Sequence, residues 1–297
     1  QVDLVYVCGC FNDYAINTLI ANRFGKITVP VVVAAMGLFS PKEFQLKYPK
    51  KKAFTTIFNL LGMFKNIYWS ATSEMEIAEI KQQVKATDKQ FFIAEDLPRK
   101  VDEANVKKEK NAGSLKVVWI SRIAPKKNLK YAIDILKETE SNIEFTIYGP
   151  AHIKEYWEEC KQELRKLPSN VKWEWKGNLD SENVVEELKL YHVFLFPTLG
   201  ENFGHVIQEA LSAGCPCIIS DQTPWNDFES QGVGCVFPLE NKSAFVHAIE
   251  KYAVMEQDEF QKGVEKAHQY AMKVSNDKVM NTGYRKVFDL HSYDPKE

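Results

Sequence analysis

The hydrophobic positions in the second half of the chain alternate between two patterns. Short continuous runs of β-branched and aromatic residues are typical of buried strands, and the stretches between them have helical spacing, as at Leu129, Ala132 and Leu136. The strand-like runs are VVWIS (117–121), EFTIYG (144–149), VKWEW (171–175), VFLFP (193–197) and CIIS (217–220). Because parallel strands need a crossover between them, this alternation predicts a doubly wound parallel sheet with helices on both faces.

The first hundred residues show a rougher version of the same pattern. Three runs resemble strands, and helical spacing follows from Tyr14 to Phe24 and over 73–85; the runs are DLVYVCG (3–9), VPVVVAA (29–35) and IYWSAT (67–72). The fold class predicted for the whole chain is therefore α/β, with two Rossmann-like parallel sheets.

A polar, charged stretch, VDEANVKKEKNAG (101–113), is the best candidate for a linker between the two sheets. We therefore expect a partial N-terminal domain over 1–112 and a C-terminal domain over 113–297. The segment 279–297 is a candidate for a helix that packs back on the N-terminal domain.

Composition narrows the functional classes. A net charge of −2, from 38 basic and 40 acidic residues, gives no general attraction to nucleic acid. The apolar runs are shorter than the roughly 18 residues that a membrane span needs, and the chain does not open with a secretory signal. The cysteines form no C-x-x-C pair, which favours buried, reduced thiols in a cytosolic protein without a metal site; they are Cys8, Cys10, Cys160, Cys215, Cys217 and Cys235.

The stretch GENFGHVIQE (200–209) is the strongest candidate for chemistry. It follows the predicted strand VFLFP and enters a helix near Gly204, so it lies at the carboxyl end of a parallel strand, where open α/β sheets bind ligands. Glu201 in the loop and Glu209 in the helix can line one cleft and each bind a diol. The amides of the first helical turn favour negative or hydroxyl-rich ligands.

Two basic residues occupy the equivalent loop after the first strand of this half. In SRIAPKKNL, Arg122 follows the strand and Lys127 precedes the next helix. An arginine and a lysine that converge on one cleft suit a diphosphate. Together with the two carboxylates they point to a nucleotide sugar as the ligand.

The segment from about 114 to 250 resembles the donor-binding domain of a family 4 (group 1) retaining glycosyltransferase of the GT-B architecture. The similarity is carried by SRIAPKKN, Tyr148-Gly149-Pro150, Trp175-Lys-Gly177 and FPTLGENFGHVIQEALSAGCPCIISDQTPW, which matches the E-x7-E signature of that family. The resemblance extends more weakly to residues 1–100, which look like the later part of the acceptor-side domain.

The resemblance implies a role for each matching residue. Glu201 is expected to face the donor sugar, and Arg122 and Lys127 to neutralise the leaving diphosphate, which makes these three the catalytic candidates. Glu209 is expected to bind the ribose hydroxyls. The intervening donor-binding candidates are Asn202, Phe203, Gly204 and His205. No cofactor or metal is implied, since the nucleotide sugar is a co-substrate.

Two departures from the family pattern qualify this expectation. The glycine-rich loop of the N-terminal domain has no counterpart in the sequence, which predicts an N-terminally truncated chain. The loop AAMGLFSP has Met36-Gly37 where a histidine or arginine is common in the family, so the acceptor-side catalytic residue stays unassigned.

The predicted function is sugar transfer with retention from a nucleoside-diphosphate donor to a hydroxyl acceptor, in bacterial polysaccharide or lipopolysaccharide assembly. A non-catalytic nucleotide-sugar binding fragment is the alternative, and a dehydrogenase is disfavoured because no strand is followed by G-x-G-x-x-G. The basic and apolar stretch 47–69 favours a helix packed on its own domain, with its lysines solvated, over a peripheral contact with the inner membrane, which would present a lipid-linked acceptor. His205 suits a sugar contact and a simple helix start equally, whereas packing is favoured for Trp225.

Overall fold

The computed structural model describes residues 2–45, 47–280 and 283–288. The chain divides into two compact units. The first runs to Leu97 and takes up the segment from Met280, and the second is Pro98–Val279.

The first unit is built on a four-stranded parallel sheet. Its strands follow chain order and are β1 (Val5–Cys8), β2 (Val31–Ala34), β3 (Tyr68–Ala71) and β4 (Phe91–Ile93). The helices are α1 (Asp13–Arg23), α2 (Pro41–Gln45), α3 (Tyr48–Leu60) and α4 (Glu74–Lys81). β2 is buried along its whole length, and an aromatic cluster that includes Phe39, Phe64 and Trp69 forms the core beside it.

The C-terminal end of the described chain also belongs to this first unit. A short helix that we number α12 (Tyr284–Phe288) buries Val287 against Val32 and Ala94. Most of the segment 279–297, for which a returning helix was predicted, lies outside the described residues.

The second unit is built on a six-stranded, wholly parallel sheet. Its strands are β5 (Ser114–Ile120), β6 (Asn142–Tyr148), β7 (Val171–Trp175), β8 (Val193–Phe196), β9 (Cys217–Ser220) and β10 (Gly234–Phe237). The helices are α5 (Leu129–Leu136), α6 (Lys154–Leu164), α7 (Val184–Leu188), α8 (His205–Ser212), α9 (Phe228–Gln231), α10 (Lys242–Val254) and α11 (Gln257–Met280). The predicted α/β fold with two parallel sheets is confirmed.

The strand order of the second sheet fixes where a ligand site can form. The order is β10-β9-β8-β5-β6-β7, so the chain builds outward from β5 through β7 and then crosses back to continue from β8 on the other side. The order in which the chain adds strands to the sheet therefore reverses between β5 and β8, while all six strands stay parallel. In open α/β sheets, the crevice outside the carboxyl ends of the strands at such a reversal is the usual ligand site.

The polar segment 101–113, predicted as a linker, is packed into the second unit. The ammonium of Lys108 is buried and donates hydrogen bonds to the carbonyl oxygens of Leu188 (2.8 Å) and Tyr191 (2.5 Å). Lys110 is buried in the same way and donates to the carbonyls of Ala253 and Met255, each at 2.8 Å. The lysines that suggest a solvated linker in the sequence thus saturate carbonyl groups inside the unit.

Candidate active site

Hydrogen bonds join the loop after β5 to the loop after β8. The carbonyl oxygen of Lys126 accepts from the Thr198 hydroxyl at 3.1 Å and from the Leu199 amide at 2.9 Å. The side-chain amide of Asn128 donates to the Pro197 carbonyl at 2.9 Å. Both loops are therefore fixed at the point where the strand order reverses.

The loop after β9 completes the same framework. The Ser220 hydroxyl donates to the Thr198 carbonyl at 2.6 Å, and the Glu201 amide donates to the Gln222 carbonyl at 3.0 Å. Because its backbone is held from both sides, Glu201 has a defined place at the carboxyl edge of the sheet.

Glu201 and Lys127 meet in this crevice as an ion pair. The ammonium of Lys127 contacts Oε1 of Glu201, and the two side chains are only 14% and 12% exposed. The Thr198 hydroxyl lies 3.3 Å from the same carboxylate oxygen, and the Lys127 ammonium lies 5.8 Å above the ring of Phe196. The sequence placed both residues in one cleft, and the structure brings them into direct contact.

Arg122 follows β5 at the same edge of the sheet and is exposed to solvent. Its position depends on close contact between the ends of β5 and β6. A Cβ added to Gly149, at the end of β6, would lie 1.7 Å from the carbonyl oxygen of Ser121. Only glycine fits there, so the glycine quoted from Tyr148-Gly149-Pro150 permits the backbone that presents Arg122.

The second carboxylate, Glu209, is buried on α8. Burial raises the pKa of its side chain, and the nearby charge of Arg99 opposes that rise. Nε of Arg99 lies 3.3 Å from Oε1 of Glu209, and the Glu209 side chain is 9% exposed. Nothing in the sequence marks Arg99 as its partner, because the two positions are far apart in the chain and meet only in the folded unit.

The loop between the two glutamates is supported by aromatic packing. Phe203 is buried, with its ring centroid 4.8 Å from that of His205 and 5.3 Å from that of Trp225, whose indole N–H donates to the Phe203 carbonyl. Asn202 and His205 are exposed, and Gly204 begins α8 in a left-handed conformation with φ of 82°. Trp225 is therefore a packing residue beneath the loop, as favoured from the sequence.

The first turn of α8 follows this loop directly, and in it the Ile207 amide donates to the Gly204 carbonyl at 2.8 Å. Amides at the start of a helix lack partners one turn earlier and attract anionic or hydroxyl groups. Together with Lys127 they give the crevice donors for a phosphate group, beside carboxylates for hydroxyls.

Metal-binding geometry is absent from the part of the chain that the structure describes: no cluster of three or more His, Cys, Asp or Glu side chains is arranged to hold an ion. At Glu201 and Glu209, the charged side chains that the structure brings into contact are instead two ion pairs, Lys127–Glu201 and Arg99–Glu209. The arrangement can bind a ligand that carries both phosphate and hydroxyl groups.

Comparisons with known proteins agree with this geometry. The family model for "Glycosyl transferases group 1" matches residues 100–273, which is more than half of the chain. A search of curated proteins gives no match.

Three solved structures illustrate the similarity of fold. Anabaena Alr3699/HepE in complex with UDP and glucose has a TM-score of 0.66 and 16% identity, over 94% of this chain and 77% of that one. WaaG, a glycosyltransferase involved in lipopolysaccharide biosynthesis, has a TM-score of 0.60 and 14% identity, over 91% and 83%. Sucrose-phosphate synthase from Thermosynechococcus elongatus has a TM-score of 0.63 and 15% identity, over 96% and 74%.

Proposed function

The chain belongs to the group 1 glycosyl transferases, and from this premise we propose that it transfers a sugar from a nucleoside diphosphate to a hydroxyl acceptor with retention, as a family 4 enzyme. The observation that carries the proposal is the Lys127–Glu201 ion pair at the point where the sheet reverses, with Glu209 buried on the helix that follows. The UDP and glucose in the structure of Anabaena Alr3699/HepE support a donor of this chemical class.

In the proposed reaction, the bond between the anomeric carbon and the diphosphate oxygen breaks. The acceptor oxygen bonds to the same face of the sugar and passes its proton to the departing diphosphate. Lys127 and Arg122 stabilise the negative charge that grows on the diphosphate, and the amides at the start of α8 add to it. The contact with Glu201 already places the Lys127 ammonium at this site before the donor binds.

The two carboxylates have separate tasks in this proposal. Glu201, released from Lys127 when the diphosphate takes its place, holds the donor sugar through its hydroxyls. Glu209 binds the ribose, and the loop from Asn202 to His205 contacts the sugar and phosphates between them. Glu209 therefore contributes to binding rather than to bond cleavage.

The deciding experiment replaces Lys127 by alanine. We expect kcat for diphosphate release to fall by about 10² to 10³, the usual effect of removing one group that stabilises transition-state charge. Lys126→Ala is the matched control, because Lys126 contributes its backbone carbonyl to the site and that carbonyl is retained. Unchanged turnover of Lys127→Ala would refute the assignment of the diphosphate site.

Calorimetric titration with UDP, GDP and ADP sugars identifies the donor and separates an enzyme from a binding fragment. An enzyme binds one of these donors and releases the diphosphate when an acceptor is present. Binding of the donor without any release of diphosphate would favour the non-catalytic alternative.

We further propose a glycan or lipid-linked acceptor of bacterial polysaccharide assembly, presented at a membrane surface to residues 47–69. On and after α3, Ile57, Leu60 and Leu61 are 52%, 84% and 50% exposed, and Lys50 and Lys52 are exposed on the same helix. Apolar side chains beside lysines suit an anionic bilayer surface. None of the described helices is long and apolar enough to cross a membrane.

A sedimentation assay with vesicles that contain anionic lipid tests this surface. Leu60→Asp should reduce vesicle binding several-fold, whereas Leu190→Asp, at a site in the second unit that is 58% exposed, should leave it unchanged. Equal binding by wild type and Leu60→Asp would rule the surface out.

A further inference from the structure

Arg99 is fixed beside Glu209 by contacts on both its backbone and its side chain. Its carbonyl oxygen accepts hydrogen bonds from the Gln208 side-chain amide at 3.1 Å and from the Ser275 hydroxyl at 3.0 Å. Its Nη1 donates to the Ser181 carbonyl at 2.7 Å, while Nε lies 3.3 Å from Oε1 of Glu209. Two contacts hold the guanidinium and two hold the backbone, although the Arg99 side chain is 46% exposed.

The position of Arg99 affects the charge state of the buried Glu209 carboxyl group. An ionised carboxylate accepts hydrogen bonds on both oxygens, whereas the neutral acid turns one oxygen into a donor, and burial favours the neutral form. Burial raises the pKa of Glu209 above its ordinary value, and the nearby charge of Arg99 opposes that rise. The guanidinium therefore favours the form of the carboxyl group that accepts on both oxygens.

The geometry of the pair leaves room for that ligand. Arg99 approaches Oε1 through Nε, and its Nη1 is already committed to Ser181. Within the described part of the chain, Oε2 of Glu209 receives no hydrogen bond, and this oxygen is not among the fully buried unsatisfied atoms. One carboxylate oxygen is thus held by the protein while the other is left for a hydroxyl donor.

We propose that Arg99 is a positioning residue for the donor: it orients Glu209 so that Oε2 meets the ribose hydroxyls, and it thereby sets the preference for a ribonucleoside diphosphate over its 2′-deoxy form. This inference rests on the proposed function, in which Glu209 binds the ribose. Arg99 does not touch the reacting atoms, so it affects donor binding and not the chemical step.

A blocking role for the same arginine would have the opposite effect. If Arg99 occupied the ribose position, its removal would tighten donor binding. The fixed backbone and the committed Nη1 argue against such a role, because the side chain is tied to Ser181 rather than extended into an open crevice. The sign of the change in affinity distinguishes the two.

The test compares Arg99→Gln with Lys100→Gln, the adjacent cation, whose side chain is 87% exposed and lies 3.7 Å from Asp102. Calorimetry measures the affinity for UDP, GDP and ADP and then for the 2′-deoxy form of the tightest ligand. We expect Arg99→Gln to weaken the ribonucleotide about tenfold and the 2′-deoxynucleotide by less than threefold, with donor KM raised and kcat within about twofold. Arg99→Lys, which keeps the charge, should restore part of the affinity, and Lys100→Gln should match wild type.

Other outcomes separate the two proposals. Unchanged or tighter binding by Arg99→Gln, or an equal loss for both sugars, overturns the positioning role, since a merely structural residue would not discriminate between the riboses. Failure of wild type to bind any of the three nucleotides overturns the proposed function itself.

Discussion

The six-stranded sheet reverses its strand order between β5 and β8, whereas the four described strands of the other sheet lie in simple chain order. The loops that follow these two neighbouring strands are hydrogen-bonded to each other, and they carry Lys127 and Glu201. In the four-stranded sheet, the loops that follow β2 and β3 are instead tied together by a single side chain, Glu76. Sheets of the same class thus use their carboxyl ends for different purposes.

The buried glutamates of the two units show this difference most clearly. Glu76 is 3% exposed and uses both oxygens: Oε1 accepts from the Gly37 amide at 2.5 Å, and Oε2 accepts from the Thr72 amide at 2.7 Å and hydroxyl at 2.9 Å. Glu209 is 7% exposed, but its contact is to Arg99 through one oxygen. Burial alone does not mark a binding carboxylate, whereas unused capacity to accept hydrogen bonds does.

The largest loss of stability should come from Gly149→Ala, which forces the ends of β5 and β6 apart. The added Cβ would meet the Ser121 carbonyl at 1.7 Å, so the backbone must move, and we expect a loss of about 4 kcal/mol or more in the free energy of unfolding. Thermal unfolding measures it. Gly113→Ala is the control, since its φ is also positive but its Cβ meets nothing within 4 Å, and strain alone should cost about 1 kcal/mol. Similar melting temperatures for the two variants would contradict the close approach.

A smaller loss of stability should follow from Glu76→Gln. Both oxygens of Glu76 accept hydrogen bonds, whereas glutamine places an NH2 donor against one of these donor groups. We therefore expect the free energy of unfolding to fall by about 2 kcal/mol. Denaturant unfolding measures this, and nucleotide affinity measured by calorimetry should not change. A variant as stable as wild type would show that the Gly37 and Thr72 contacts contribute little.

The smallest effect in energy, and the most informative for function, should come from Glu209→Gln. We expect stability to change by less than about 1 kcal/mol, because Arg99 is 46% exposed and remains solvated without its partner. Affinity for the nucleoside diphosphate should fall about tenfold, or about 1.4 kcal/mol. Calorimetry of both glutamine variants under one set of conditions provides the comparison. If Glu76→Gln weakened nucleotide binding as much as Glu209→Gln, there would be no functional difference between a carboxylate whose two oxygens are hydrogen-bonded and one with an oxygen left for a ligand.

The strands that were missed from the sequence lie at sheet edges, although the edge strands β1 and β7 were predicted. All five strands predicted in the second half are present, whereas β10 and β4 were not predicted. Both of these are edge strands and are only partly buried, as in β10, where three of four residues are half-exposed. A half-exposed strand does not need a continuous apolar run, so its pattern is weak.

The candidate site was predictable to the extent that it depends on chain order. Glu201, Lys127 and the start of α8 follow from strand, loop and helix patterns that are local in the sequence, and the catalytic roles assigned to them stay predictions. The Arg99–Glu209 pair depends on the packing of the segment before β5 against α8 and α11, and no local pattern encodes that packing. The same holds for Lys108 and Lys110, whose burial contradicts their usual preference for the surface.

The contact between Lys127 and Glu201 leaves neither side chain as an isolated charge in the crevice. A lysine without a partner there would attract any small anion in solution, and a bare carboxylate would attract cations. Because the two side chains neutralise each other, incoming molecules must offer more than charge to displace them, and a ligand that engages both residues at once has the advantage. Under the proposed function, departure of the nucleotide product is eased for the same reason, since the pair re-forms as it leaves.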